Sequence, residues 1–404
     1  MMAQRSVLVI GGGVIGLASA LSLREQGLDV TLRDDAPARP PASWGNAGHI
    51  AVEQVEPLAS WPTVLQTPRR LMLAGGPVSF PPAAIKTWLP FALRLLAVAS
   101  PSRFARGKAA LGALLGAALP AWRDRVARIG KPELLRETGH IVAWESVASA
   151  ARGRRLLAMP VSASVSCHDL TARQAEQLKA TVTRPIADAM RYQGTASVAD
   201  PGAVLDALRD AFVRAGGRVE VELAEADVVS ASQTDLVVIT AGVRSAVLMQ
   251  ALGHDVPIIA ERGYHIQSAS APWPSELPPV VFDDRALMVN RFTSGLRATS
   301  FTEFTRHDAP PDPRKWDRLR RHVAELGLDF GDDTSTWHGS RPTFPDYLPA
   351  IGRSSRNERV LYAFGHQHLG LTLAAITGEI VAALAVGNRP TIDLKPFAIE
   401  RFAS

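Results

Sequence analysis

The N-terminal pattern of apolar and polar positions is specific. A strand-like run at 6–10, apolar from Val7 onward, leads into glycines at 11–16. Apolar positions Leu17, Ala18, Leu21 and Leu23 follow at helical spacing, with Gly27 where a helix would stop. A second short strand, Val30-Thr31-Leu32, follows. Strand, tight turn, helix and strand in this order predict a βαβ opening.

Further along, apolar helical patterns dominate 68–132, broken at Gly75-Gly76-Pro77 and at Pro81-Pro82. Thr171 opens a helix over 170–180. Asp200 caps another over 201–215 that ends at Gly216-Gly217 and leads into a strand at 218–223. A buried strand is expected at 236–240. Runs at 264–267, 286–290 and 296–301 read as strands of a mostly antiparallel sheet. A helix is expected from 310–313 through Leu326. The chain then returns to strand 359–364, a turn rich in glycine and histidine, and a helix from about Gly370 to Ala385. The tail after Pro390 reads as packed coil, and no internal repeat is present.

Length and composition narrow the picture. At 404 residues, 47% hydrophobic and 21% charged, the chain has ordinary globular usage and is long for one core. The net charge of +5 is weak for this size. The densest basic cluster, Arg314, Lys315, Arg318, Arg320 and Arg321 beside Trp316, has helical spacing and reads as a solvated helix face. No nucleic-acid partner is expected. A single cysteine, Cys167, excludes an intramolecular disulfide framework and a multi-thiolate metal site. No secretory signal is expected. The apolar stretches at 88–98 and 111–119 are too short to span a bilayer, so a cytoplasmic chain is expected, with peripheral membrane contact open.

The glycine turn carries the first chemistry. Gly11, Gly13 and Gly16 form G-x-G-x-x-G between a predicted strand and helix, with Val14 and Ile15 opening the helix. The first glycine makes the turn, the second admits a pyrophosphate, and the third lets strand and helix pack. Free N–H groups at the helix start would face the phosphates. Asp34 ends the second strand, placed to accept ribose hydroxyls. Two acids, Asp34 and Asp35, with no compensating basic residue argue against a 2′-phosphate. The motif alone does not separate FAD from NAD.

Several segments speak together. VLVIGGGVIGLASALSLREQGLDVTLRD, SWGNAGHI, VVITAG, RGYHI, GSRPTFPDYLPAIG, AFGHQHLGLTLAAITGEIVAALAVG and the ending KPFAIERF resemble the D-amino-acid oxidase-like FAD superfamily, most closely its D-amino-acid dehydrogenase branch. The resemblance spans the chain and implies FAD as the cofactor. It implies an α/β plus α+β architecture: a Rossmann-like FAD-binding domain from 1–60, part of 135–250 and 340–404, a helical insertion at 61–134, and a substrate domain at 251–339 on a mostly antiparallel sheet.

By the same resemblance, Asp34 holds the FAD ribose, and Ser43, Asn46, Ala47 and Gly48 line the flavin and pyrophosphate, with His49 and Ile50 close to the ring. Gly242 marks the turn beside the cofactor. Arg341 grips the substrate carboxylate. Gly365, His366, Gln367, His368, Leu369, Gly370, Leu371 and Thr372 wrap the pyrimidine end and start a helix whose dipole favours negative charge on the reduced ring. Three departures stand out: Arg244 where many relatives have an aromatic residue, Asp35 in place of a frequent basic residue, and GHQH in place of a plainer glycine-rich turn. With RPTFPDYLPAIG, this last segment resembles the bacterial subgroup acting on D-hydroxyproline.

The side chains fit such chemistry. Arg341, in a segment held by Pro342, Pro345 and Pro349, offers a bidentate carboxylate anchor in a stiff loop. Tyr264 is expected to face the substrate, and His49 and His368 to contact flavin or substrate as catalytic groups. His366 and Gln367 are candidates for structural or flavin contacts. The histidines lack an acidic cluster or thiolate nearby, so no metal is expected. The implied reaction is hydride transfer from the α-carbon of a D-amino acid to the flavin, with electrons passing to a quinone or electron-transfer protein. An oxygen-using oxidase of glycine, sarcosine or another secondary amine is the alternative. A non-catalytic flavoprotein docking a partner through 69–119 is a third reading. Oligomeric state is open.

Overall fold

The computed structural model describes residues 4–35, 40–56, 71–72, 76–157 and 164–403. A six-stranded sheet runs in the order Arg218–Val221, Asp29–Asp34, Ser6–Ile10, Leu236–Ile239, Val360–Phe364, Ala350–Arg353. Its first five strands are parallel and the last is an antiparallel edge. Strands from the two ends and the middle of the chain thus share one sheet. Their runs Val7–Ile10 and Leu236–Ile239 are apolar throughout because helices cover both faces.

Helix Val14–Glu25 lies against helix Gly370–Ala385 so closely that a Cβ on Gly378 would sit 2.7 Å from the Ala18 carbonyl oxygen. Helix Pro101–Arg128 covers the pair, and Trp122 donates from Nε1 to Leu371 O at 2.9 Å. Helix Gln367–Ala385, expected as a helix but not weighed as a membrane span, is long and apolar enough to cross a membrane, with mean hydropathy 1.6. It is 72% buried inside the protein and serves as a core helix.

A second sheet, nine-stranded among the described residues, carries Thr334–Thr343, Ile259–Ser268, Gly295–Thr305, Leu287–Phe292, Val280–Phe282, His140–Trp144, Asp188–Gln193 and Ser166–Asp169 in that order, with Val78–Ser79 added on Gly295–Thr305. It is mostly antiparallel. A small third sheet pairs His49–Ile50 and Leu135–Arg136 with Ala196–Val198.

Several expectations change in detail. Residues 334–343 form a strand, not a proline-stiffened loop. Pro342 is tolerated because this strand is a sheet edge, with its ladder on one side and an isolated bridge from Thr343 to His366 besides. The helical layer resolves into Ile85–Val98 and Pro101–Arg128; the predicted pattern at 68–70 and the Gly75 break lie outside the described residues. Helix Val147–Leu157 and the strands at 140–144 and 188–193 were not expected. The predicted caps at Thr171 and Asp200 are both present, Thr171 in a reciprocal capping box with Gln174.

The basic cluster is not all solvated. Lys315 is 0% exposed and its Nζ bonds Glu303 at 2.9 Å and Asp312 at 3.1 Å. Arg262 pairs with the same Glu303 at 2.7 Å, and Tyr264 donates its hydroxyl to it at 2.6 Å. Burial opposes the Glu303 charge, yet these donors hold its carboxyl below the usual range. Removing one member strands part of the buried charge. Lys315→Met is expected to destabilise the protein by about 3 kcal/mol, read as a lower urea midpoint at unchanged slope. An unchanged midpoint would show that Lys315 is dispensable to the network.

Candidate active site

The carboxyl ends of the parallel strands open onto a cavity of about 380 Å³, lined by Gly11, Gly13, Asp34, Ser43, Gly242, Arg341 and His368 among others. This is where ligands bind in open α/β sheets. At one end the chain leaves Ser6–Ile10 and turns at Gly11, whose φ is +105° and where a Cβ would meet Ala241 Cα at 2.6 Å. A Cβ on Gly16 would lie 1.7 Å from Gly11 O. Gly16 is therefore a packing residue behind the wall. Gly13 meets only Ser43 Oγ, at 3.4 Å, so the protein itself leaves room there.

Helix Val14–Glu25 has no side-chain N-cap and no acid in its first turn. Val14 N–H donates to Ser43 Oγ at 3.1 Å. An open helix start on a cavity wall suits an anionic diphosphate. Asp34 lies on the same wall. Burial pushes its carboxyl up, against the Gly12 N–H that favours the charge. The glycine cradle, the uncapped helix and the half-buried carboxylate together fit the diphosphate and sugar of FAD.

Two of the sequence departures form one feature. Arg244 and Asp35 pair at 3.2 Å, and both line the cavity. A compensating basic residue is therefore present, and the expectation that none lies near the two acids is corrected. Its charge is taken up by Asp35.

The segment Ser43–Gly48 is held from behind. Arg297, buried, donates from Nη1 to Trp44 O at 2.9 Å and Asn46 O at 2.6 Å; Asn290 donates to Ala47 O at 3.0 Å. Burial pushes the Arg297 guanidinium down to about 10. Asn46 and Ala47 line the cavity. Gly48 does not: its φ is +74°, and a Cβ would strike the Phe292 ring at 2.4 Å. Sequence reading missed Arg297 and Asn290, because their roles arise only when two distant strands meet.

At the opposite end, Gly365, His366, Gln367, His368, Gly370 and Leu371 line the wall, while Leu369 is core and Thr372 stands behind it. Thr372 Oγ1 accepts from Ala51 N–H at 3.0 Å, tying the His49 segment to the C-terminal helix. Gln367 has φ +48°, a left-handed conformation costly for a non-glycine and typical of functional turns. Its Oε1 and the His366 Nδ1 are buried without a partner among the described residues. Burial pushes His366 down to about 3, so its ring is neutral.

Arg341 lies on the cavity with Nη1 3.3 Å from Glu261 Oε1 and 3.5 Å from Phe301 O. Glu261, 2% exposed, also accepts from Thr343 Oγ1 at 3.1 Å. A Cβ on Gly263 would lie 2.2 Å from Arg341 Nη2, so this glycine makes room for the guanidinium. Neither Nη2 nor Nε has a hydrogen-bond partner among the described residues. Met288, Thr299, Trp337 and Ser340 complete this end.

Tyr264 does not reach the site. It is 0% exposed, on the opposite sheet face from Gly263, with its hydroxyl engaged by Glu303 and by Asp312 N–H at 3.2 Å. The expected substrate contact is corrected: strand alternation sends this ring into the second core.

His368 Nε2 lies 2.5 Å from Gln54 Oε1; burial and the neighbouring Arg341 hold the ring neutral. His49 Nε2 lies 2.7 Å from Glu53 Oε1, and His140 packs edge-on against His49 at 4.5 Å between ring centres. The three donors fall within 4.8 Å of one another. Two atoms on one tetrahedral ion, each at about 2.0–2.1 Å, sit about 3.3 Å apart. The His49–Glu53 contact is shorter than that and is a hydrogen-bonded dyad. Burial opposes the Glu53 charge, but His49 brings its carboxyl down to about 2; burial pushes His140 down to about 3.

Because the folded Glu53 value lies below the ordinary 4.5, its charge stabilises the fold above that pH, and this contribution is lost as pH falls toward about 2. Glu53→Gln is expected to lower stability at pH 7, with the gap to wild type narrowing by pH 4 in parallel urea titrations. A constant gap would show that the carboxylate charge is not what Glu53 contributes.

Comparison with known proteins agrees with this geometry. Residues 6–384 match the family model described as FAD dependent oxidoreductase. The chain is 30% identical to a D-amino-acid oxidase of Bradyrhizobium diazoefficiens, over 98% of this chain and 99% of that relative. It is 28% identical to D-amino acid dehydrogenase 2 of Pseudomonas aeruginosa, over 97% of each. Among solved structures, glycine oxidase from Geobacillus kaustophilus superposes with TM-score 0.71 at 19% identity, covering 99% of this chain and 100% of that one. L-proline dehydrogenase from P. horikoshii gives 0.69 at 15%, covering 99% and 98%. At these identities the two structures speak for the fold alone. A glycine cradle closed on itself, an open helix start and a family match over nearly the whole chain lead to one statement: this chain belongs to the family of FAD-dependent oxidoreductases and is an oxidoreductase that uses FAD.

Proposed function

We propose that this enzyme is a dehydrogenase of D-amino acids, with D-proline or D-hydroxyproline as substrate. The observation that carries the reading is Arg341: a guanidinium on the cavity wall, steadied through Nη1 by buried Glu261, with two further nitrogens open to a carboxylate. The two relatives above are named for D-amino acids and support the substrate class. The ring preference rests on the resemblance of GHQHLGLTL and RPTFPDYLPAIG to the D-hydroxyproline subgroup.

FAD bound in this cavity supplies the two-electron acceptor for hydride leaving the substrate α-carbon. The chain's own residues do the rest. Arg341 binds and orients the carboxylate through charge-assisted bonds. Gln54 Oε1 accepts from His368 Nε2–H, which leaves the Nδ1 lone pair of a neutral ring available. That nitrogen accepts from the N–H of a substrate bound as the neutral amine, and hydride departure from a neutral amine needs no enzymic base. Trp337 and Met288 wall off water. Electrons then pass to a quinone or an electron-transfer protein, from a cytoplasmic enzyme held at the inner face of the membrane.

The 30% relative is named an oxidase, which gives the oxygen-using alternative a specific footing. Hydrogen peroxide formed in air at the rate of substrate loss decides for it.

Anaerobic addition of D-proline, cis-4-hydroxy-D-proline or D-alanine to FAD-loaded enzyme is expected to bleach the flavin, with the L-epimers slow. Bleaching by L-substrates alone contradicts the assignment. Arg341→Met is expected to lower kcat/KM by about a hundredfold or more while FAD stays bound, since two charge-assisted bonds are lost. Unchanged turnover at low substrate removes Arg341 from the anchoring role.

A further inference from the structure

Helix Ile85–Val98 is apolar on both sides. Its inner face sets Phe91, Trp88 and Leu95 against Phe80, Ile259 and Phe304. Its outer face shows Ile85, Leu89, Leu93 and Leu96, exposed by 46%, 42%, 59% and 38%. These four stand at i, i+4, i+8 and i+11, one continuous stripe. Single exposed apolar residues are ordinary, but a contiguous stripe marks an interaction surface.

The charge carried by this stretch of the chain is one-sided. Between Glu56 and Asp124 the sequence contains no Asp or Glu, while Lys86, Arg94, Arg103, Arg106 and Lys108 all fall there. Arg94 pairs with Asp255 at 3.2 Å and Lys108 with Glu56 at 2.6 Å. Lys86, Arg103 and Arg106 are exposed and have no acidic partner among the described residues. The helix pair bends by 94° between Val98 and Pro101. Helix Pro101–Arg128 packs on the core, and Ile85–Val98 turns away from its axis.

We propose that this face docks on an anionic lipid bilayer, with the leucine stripe in the acyl boundary and Lys86, Arg103 and Arg106 at the headgroups. At 14 residues the helix is about 21 Å long, short of the roughly 30 Å hydrocarbon core, so it lies in the interface and does not cross. Unpaired basic charge beside exposed leucines matches anionic headgroups over acyl chains, and favours lipid over an apolar protein groove. The helix rests on Ile259, two residues from Glu261, so docking brings the Arg341 end of the cavity toward the membrane. The proposal deepens the acceptor reading above and rests on it only for the purpose of docking; the binding itself is independent of amine chemistry.

The test is flotation of full-length FAD-loaded protein with vesicles of phosphatidylcholine alone or with a quarter phosphatidylglycerol. Binding to the anionic vesicles is expected, weakening with salt. Leu89→Ser/Leu93→Ser is expected to reduce partitioning at least tenfold. Lys86→Gln/Arg103→Gln/Arg106→Gln is expected to reduce it by about fivefold per charge on anionic vesicles. Amine-driven flavin bleaching and FAD content stay unchanged in both variants, since no substituted residue lines the cavity. Absence of binding to anionic vesicles at low salt overturns the proposal. So does a concentration-dependent dimer in light scattering that Leu93→Ser abolishes, which would assign the stripe to a second copy. Vesicle binding without flavin bleaching would instead leave the surface standing and sink the substrate reading.

Discussion

The site depends on a turn with no room for side chains. Gly11 crosses the sheet against Ala241, and Gly16 folds back onto Gly11. With those contacts made by backbone alone, helix Val14–Glu25 begins at the cavity wall without a capping side chain. Ser43 Oγ takes the Val14 N–H, and the helix start otherwise presents a fixed positive end suited to a bound anion. Asp34 stands on the same wall from the neighbouring strand, its carboxyl pushed up by desolvation, a cost that donating hydroxyls of a bound sugar would offset.

The second sheet supplies chemistry to this cofactor end. Its edge strand Thr334–Thr343 delivers Arg341, and the adjacent strand delivers both Glu261, which steadies the guanidinium, and Gly263, which leaves it space. The same strand sends Tyr264 the other way, into the network of Glu303, Arg262 and Lys315 that stiffens the sheet from its far face. One strand therefore joins a rigid buried charge network to a partly open arginine. Such backing suits the carboxylate-binding role proposed for Arg341, because it holds the guanidinium without filling its hydrogen-bonding edge.

Part of the cofactor end was legible in the sequence because it is local. Gly11 to Gly16 and Asp34 act within a few residues of their own backbone, so spacing reveals them. The segment after Ser43, the turn at Gly365 to Gly370 and Arg341 were singled out only through the family resemblance. The contacts that hold these residues were not legible. The pairing of Arg341 with Glu261, the support of Ser43–Gly48 by Arg297 and Asn290, and the ion pair of Arg244 with Asp35 all join residues far apart in the chain. Tyr264 misled because a short apolar run shows alternation but not which face meets the cavity. Lys315 misled because helical spacing of basic residues looks the same whether a face meets water or buried carboxylates.

A crystal structure of the enzyme grown with FAD and a non-reacting carboxylate such as benzoate puts both ends of the site on view at once. The diphosphate is expected on the backbone of residues 11–16, and the carboxylate on the open side of the Arg341 guanidinium. A carboxylate seated elsewhere, with Arg341 still bonded to Glu261 alone, would contradict this arrangement.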